Sequence, residues 1–237
     1  MLRLEQLFDR LATLAAREAA LDHHFALFTL FEIMDVSSRA DLKADLLKEL
    51  DRHRARLLAF RGNPQIDEAP LAEALARIER AYEPLNAMPG KAGQALTSNE
   101  WLMGVRSRIA IPGGTCSFDL PAYHAWQQLN GAARRADLER WLATLAPLGR
   151  ALRVLLGLLR DSASAQRVVA PGGLYQQRLP EGRSYHLLRL QLAPDETRIP
   201  EISGHRLMVL VRMMRADAEG RLRHDTEDAS FDLALCT

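Results

Sequence analysis

Cysteine is almost missing from this chain of 237 residues: Cys116 and Cys236 are the only two. Thiols that far apart make neither a disulfide framework nor a clustered zinc site, and they suit a reducing compartment. Phosphate-cradling loops are missing too. There is no GxGxxG and no GxxxxGK(S/T), and Gly113-Gly114 follows a helical stretch with no lysine behind it. HExxH and CxxC do not occur. An excess of one charge sign is also lacking. The 31 basic and 30 acidic residues leave a formal net charge of +1, so nothing global pulls the chain toward nucleic acid or an anionic membrane. The strongly apolar stretch 151–159 is interrupted by Arg153 and is too short to span a bilayer. The opening MLRLEQLFDR carries Arg3, Glu5, Asp9 and Arg10 and has no apolar segment of the kind a secretory signal needs, so neither export nor membrane insertion is expected.

What is present is the composition of an ordinary globular protein, 48% hydrophobic and 26% charged. The apolar pattern changes once along the chain. Up to about residue 165 it is helical: Leu4, Leu7, Leu11 and Leu14 share one face, and residues 21–36 are apolar enough for a core helix. Ser37 and Ser38 are expected to cap a helix with Leu42, Leu46, Leu50 and Leu57 inside. Leu71, Leu75, Ile78 and Tyr82 mark a further helix, expected to stop before Pro84. Ser98 is expected to cap one carrying Trp101, Leu102, Val105 and Ile109. From Gly172 the period becomes two, in Leu188, Leu190 and Leu192 and again in Phe231, Leu233 and Leu235. His205 to Met214 reads as one strand, after a turn at Ser203-Gly204. Helices followed by strands predict an α+β fold: an all-helical domain over 1–165, then a small antiparallel β-domain over 166–237. The loop 111–118 is a candidate extra strand of that sheet.

Few residues offer chemistry. His23 and His24 are helical neighbours that point apart, so one is expected at the core edge and one in solvent. Cys116, Ser117, Asp119 and His124 lie close in sequence, but a nucleophile needs a base in hydrogen-bond reach and a group orienting that base. The stronger signal is charge segregation. Residues 173–215 hold seven arginines (178, 183, 189, 198, 206, 212 and 215) against Glu181, Asp195, Glu196 and Glu201. Residues 216–237 hold six acids and two arginines. Arginine forks onto carboxylates, so a sheet face displaying it suits an acidic peptide; the alternative is a solvated face with cross-strand ion pairs.

At Ile111 the chain reads IPGGTCSFDLPAYHAWQ. With LRLEQLFDRL and DLKADLLKELDRHRARL before it and GGLYQ, LLRLQL, PEISGHR and FDLALC after it, all in family order, the chain resembles the ZapD family of division proteins over essentially its whole length. The resemblance implies a cytoplasmic, non-enzymatic homodimer without cofactor or metal. It would bind the C-terminal tail of FtsZ, bundle FtsZ protofilaments, support assembly of the division septum at mid-cell and lower FtsZ GTP turnover. It assigns tail binding to Arg39, Arg206 and Arg212, with His205 and Arg215 beside them, and places Arg3 and His124 as polar residues near the dimer core. Family members carry another arginine where this chain has Met208, which Arg206 or Arg215 would have to replace. The rival readings are a hydrolase built on Cys116 and His124, or a nucleic-acid binder using the arginine-rich sheet. The acidic stretch of the same domain argues against the second.

Overall fold

A computed structural model describes residues 1–38 and 41–237. The chain forms two compact units, Met1–Leu156 and Gly157–Thr237. Helices come first and antiparallel strands second, the α+β arrangement that the change of apolar period predicts.

The first unit contains α1 (Leu2–Ala15), α2 (Ala20–Ser38), α3 (Leu42–Leu58), α4 (Glu68–Ala87), α5 (Gln94–Thr97), α6 (Glu100–Ile109), α7 (Pro121–Gln127), α8 (Gly131–Ala143) and most of α9 (Ala146–Asp161). α2 is apolar on nearly every side and sits at the centre. It buries Leu27, Leu30, Phe31, Ile33 and Met34 and packs on α1 and α8. Trp101 of α6, Tyr123 and Trp126 of α7 and Trp141 of α8 meet in one aromatic cluster. Trp101 stacks on Trp141 at 5.4 Å, and Tyr123 on Trp126 at 5.9 Å between centroids. No single helix among the described residues is long and apolar enough to cross a membrane.

Four local expectations are corrected here. Ser37 and Ser38 end α2 rather than opening α3, and their hydroxyls donate back to the Ile33 and Asp35 carbonyls. Asn99, not Ser98, caps α6, its side chain accepting from the Leu102 amide at 3.0 Å. α4 runs through Pro84 to Ala87. Proline deprives the Arg80 carbonyl of its helical donor, and the Arg150 guanidinium donates to that carbonyl at 3.5 Å instead. The loop 111–118 forms successive turns in the helical unit and adds no strand. Its glycine is obligatory on steric grounds: a Cβ on Gly114 would lie 2.5 Å from the Arg108 carbonyl oxygen.

The second unit holds β1 (Gln166–Ala170), β2 (Leu174–Arg178), β3 (Leu187–Gln191), β4 (Ile199–His205), β5 (Met208–Ala216), β6 (Leu222–His224) and β7 (Ala229–Cys236). They make two antiparallel sheets: one ordered β1-β7-β3, the other β2-β5-β4, with β6 extending along β5. The inward faces meet in a core of Val209, Val211 and Met213 from β5 against Phe231 and Leu233 from β7. The expected strand from His205 to Met214 is split. Ser203 and Gly204 are within β4, and the hairpin turn is Arg206-Leu207. The chain passes from one sheet to the other at Pro171–Gly173, where Gly172 and Gly173 have φ of 55° and 71°. A side chain on Gly173 would put its Cβ 1.8 Å from the Asp225 carbonyl oxygen, so only glycine fits this corner.

Candidate peptide-binding face

Strand alternation sorts the arginines of the β-unit. Val209, Val211 and Met213 of β5 point into the core, so Met208, Leu210 and Arg212 point the other way. The register sets beside them Leu174, Gln176 and Arg178 of β2 and Glu201, Ser203 and His205 of β4. Arg212 lies between Leu174 and Glu201, and its guanidinium reaches the Glu201 carboxylate at 3.3 Å. Both partners are largely exposed, so the ion pair is weak and can be exchanged. His205 and Arg178 flank Met208 on either side. The His205 Nδ1 accepts the Leu207 amide at 3.2 Å, which shapes the turn carrying Arg206. Arg178 and Arg206 are exposed and have no carboxylate partner among the described residues.

Arg206 and His205 also line a cleft of about 610 Å³ between β3 of one sheet and β4 of the other, on the inward side of β4 and β5. It is lined by Leu179, Leu188, Ile202 and Val209 together with Arg183 and His186. Apolar side chains beside cationic ones suit a short extended peptide with both apolar and acidic side chains.

Of the expected tail-binding residues, Arg206, Arg212 and His205 come together on this face and its turn. Arg215 does not. One residue out of phase with Arg212 and Met214, it turns away. Its Nε donates to the buried Asp225 at 2.7 Å, and its other arm lies 3.5 Å from Glu227. Arg215 is therefore a structural cation, holding the chain next to the glycine corner, and it cannot replace the missing base at Met208. Arg178 does stand there, directly across from Met208. The sequence singled out Arg178 only as one of seven arginines, because its place depends on the β2–β5 register. Arg39 lies outside the described residues.

In the helical unit, Arg3 and His124 are exposed. The buried polar positions there are His23, Thr29, Ser37 and Arg134. His23 Nε2 faces the Arg17 carbonyl at 2.7 Å and so carries the proton, while Nδ1 accepts from Arg134 Nε at 2.9 Å. His24 is half-buried with Nδ1 at 2.6 Å from the Tyr123 hydroxyl, so neither histidine is the solvated one expected. Burial lowers the His24 pKa and pushes the Tyr123 phenol far up, which leaves both neutral. The two histidines thus serve separate hydrogen bonds. No hydrogen bond joins His124 to Cys116 or Ser117 among the described residues, so the base contact a nucleophile needs is not made.

Comparison with known proteins decides the family. The profile of ZapD, described as a cell division protein, matches residues 2–212. Cell division protein ZapD of Ralstonia nicotianae (strain ATCC BAA-1114 / GMI1000) is 49% identical, over all of this chain and 94% of that protein. The chain belongs to the ZapD family. A role in cell division follows from that membership. ZapD-family motifs can now be read structurally. GGLYQ is the inter-sheet corner with the start of β2, PEISGHR is β4 with its turn, and FDLALC is β7, the central strand of its sheet.

Proposed function

We propose that this protein is a non-enzymatic crosslinker of FtsZ filaments that acts in the cytoplasm at the division site. It binds the C-terminal tail of FtsZ through the outward face of β2, β5 and β4 and the adjoining β4–β5 turn. The observation that carries this reading is the placement of Arg178, His205 and Arg212 on one face of one sheet, with Arg206 in the adjoining turn beside an apolar cleft. Family membership supplies the division context. Arg39, just ahead of α3, completes the set the family resemblance assigns.

One tail on one such face binds modestly, since its ion pairs are exposed and screened by salt. A homodimer presents two faces. Many tails along a filament then raise the effective concentration, so bundling is avid although each contact is weak. Lateral bundling slows subunit exchange, and lower FtsZ GTP turnover follows from it.

Sedimentation with FtsZ filaments tests the proposal. Wild-type protein is expected to pellet with FtsZ and not with FtsZ lacking its tail. Arg206→Glu combined with Arg212→Glu is expected to raise the Kd about tenfold or more, about 1.4 kcal/mol, without changing thermal unfolding. Undiminished pelleting of that variant, or of wild type with tail-less FtsZ, refutes the assigned face.

A further inference from the structure

The β-unit is closed along one margin and open along the other. At the closed margin the chain turns from β1 into β2 through the glycine corner, and Tyr175 packs edge-on against Phe231 at 5.6 Å between centroids. At the open margin β3 ends one sheet and β4 ends the other, each paired on one side only among the described residues. The cleft of about 610 Å³ lies between them. Ile202 belongs to the inward face of β4, since it stands opposite the buried Val211. It is nevertheless 44% exposed, so the other sheet does not cover it.

Strand register shows which backbone groups are left over. A two-residue turn closes on the hydrogen-bonded pair His205–Met208, so bonds to β5 recur at Ser203, Glu201 and Ile199. The amides and carbonyls of Gly204 and Ile202 therefore point away from β5, toward the open edge, as does the Pro200 carbonyl. Pro200 agrees with this phase, because a proline in a sheet sits where no neighbouring strand needs its amide. Two common defences of an edge strand are missing from β4: no charged side chain points inward, and no bulge interrupts the pairing.

The charges beside the cleft have one sign. Arg183, His186 and Arg206 line it, and no acid does. Arg183 stacks on Tyr185 at 5.4 Å, which leaves its N–H groups for a carboxylate. Glu181 lines the adjoining recess with Arg183 and Arg206 but pairs with neither among the described residues.

We infer that this edge takes up an extended, acidic segment of another protein as an added strand beside β4. Alternate apolar side chains of the segment enter the cleft over Leu188, Ile202 and Val209, and its carboxylates reach Arg183 and Arg206. About five residues, spanning about 17 Å, match the run from Pro200 to Gly204. The inference goes beyond the proposed function, which uses the outward face of the same sheet. A second copy of this chain is a poorer occupant, since pairing the same edge twice brings like charges together.

Fluorescence anisotropy with the full-length protein tests this. The probe is a labelled seven-residue peptide that alternates valine and threonine between two terminal glutamates. It is expected to bind, and its lysine-ended counterpart to bind at least about tenfold more weakly. Arg183→Glu is expected to weaken the glutamate probe by a similar factor. A Cβ on Gly204 meets only ordinary contacts, 3.8 Å from the Met208 carbonyl oxygen and 3.9 Å from the Val209 side chain. Gly204→Val is therefore expected to keep its unfolding temperature, fill the cleft and lose the probe. Antiparallel addition aims the amides of the cleft-facing residues at β4, and parallel addition aims those of the others. N-methylation of one alternate set is thus expected to abolish binding and of the other set to spare it. A glutamate probe that does not bind at about 1 mM, or an equal response to both methylated sets, overturns the proposal. If Gly204→Val keeps the probe but changes self-association in sedimentation, the edge belongs to a second copy and the proposal also fails.

Discussion

Arg134 shows how much one buried side chain can organise. Its guanidinium donates to the Gln127 carbonyl at 3.0 Å, the Leu129 carbonyl, the Glu18 carbonyl at 2.6 Å and His23 Nδ1. The first two are carbonyls at the end of α7 that no helical amide can reach, and a cation there also meets the negative end of the helix dipole. His23→Ala would leave Arg134 Nε without an acceptor in a dry site and open a cavity. Chemical denaturation is expected to register a loss of about 2–4 kcal/mol. Gly173→Ala tests the glycine corner: with Asp225 in the way and φ at 71°, it is expected to cost at least about 2 kcal/mol. Glu196 ties pH to stability. The Arg198 side chain grips it, with Nε at 2.8 Å and the Arg198 amide at 3.0 Å, and holds its pKa at about 2 against an ordinary 4.5. The unfolded chain takes up this proton near the ordinary value and the native chain only near 2. Its stabilising effect is therefore complete above the ordinary pKa and lost as pH falls from 4.5 toward 2. Urea midpoints of Glu196→Gln are expected to fall less than those of wild type across that window.

At the scale of elements, period alone reveals helices before strands, because a core face every three to four residues and a core face every two leave different marks. The core helix around Leu27–Met34 and the strands around Leu188 and Phe231 stand out for that reason. The split of β4 from β5 does not. Ser203-Gly204 has the composition of a turn, yet strand pairing across Val209 and Leu210 holds it extended and moves the turn to Arg206-Leu207. The same gap explains the site. Arg206, Arg212 and His205 are legible from their motif. The roles of Arg178 and Arg215 depend on which strand lies opposite and which way a residue faces, and both are properties of register. Arg178→Glu is accordingly expected to weaken FtsZ pelleting as Arg206→Glu does, while Arg215→Ala is expected to lower the unfolding temperature of the β-unit. Binding assays and thermal scans on the same two proteins separate the roles.

For the whole molecule, the proposed bridging depends on pairing as much as on the basic face. Binding through exposed ion pairs weakens as salt rises, and a two-site bridge loses avidity faster than either single contact. One topological feature bears on synthesis. β1 and β3 do not pair with each other; each pairs with β7, which follows both in the chain. Until residues 229–236 leave the ribosome, Phe231 and Leu233 are missing from the core and two strands have no mate. The sheet of β1 and β3 thus closes only once β7 is available, and a chain stalled or cut before residue 229 would offer its unmated strand edges to aggregation or to proteases.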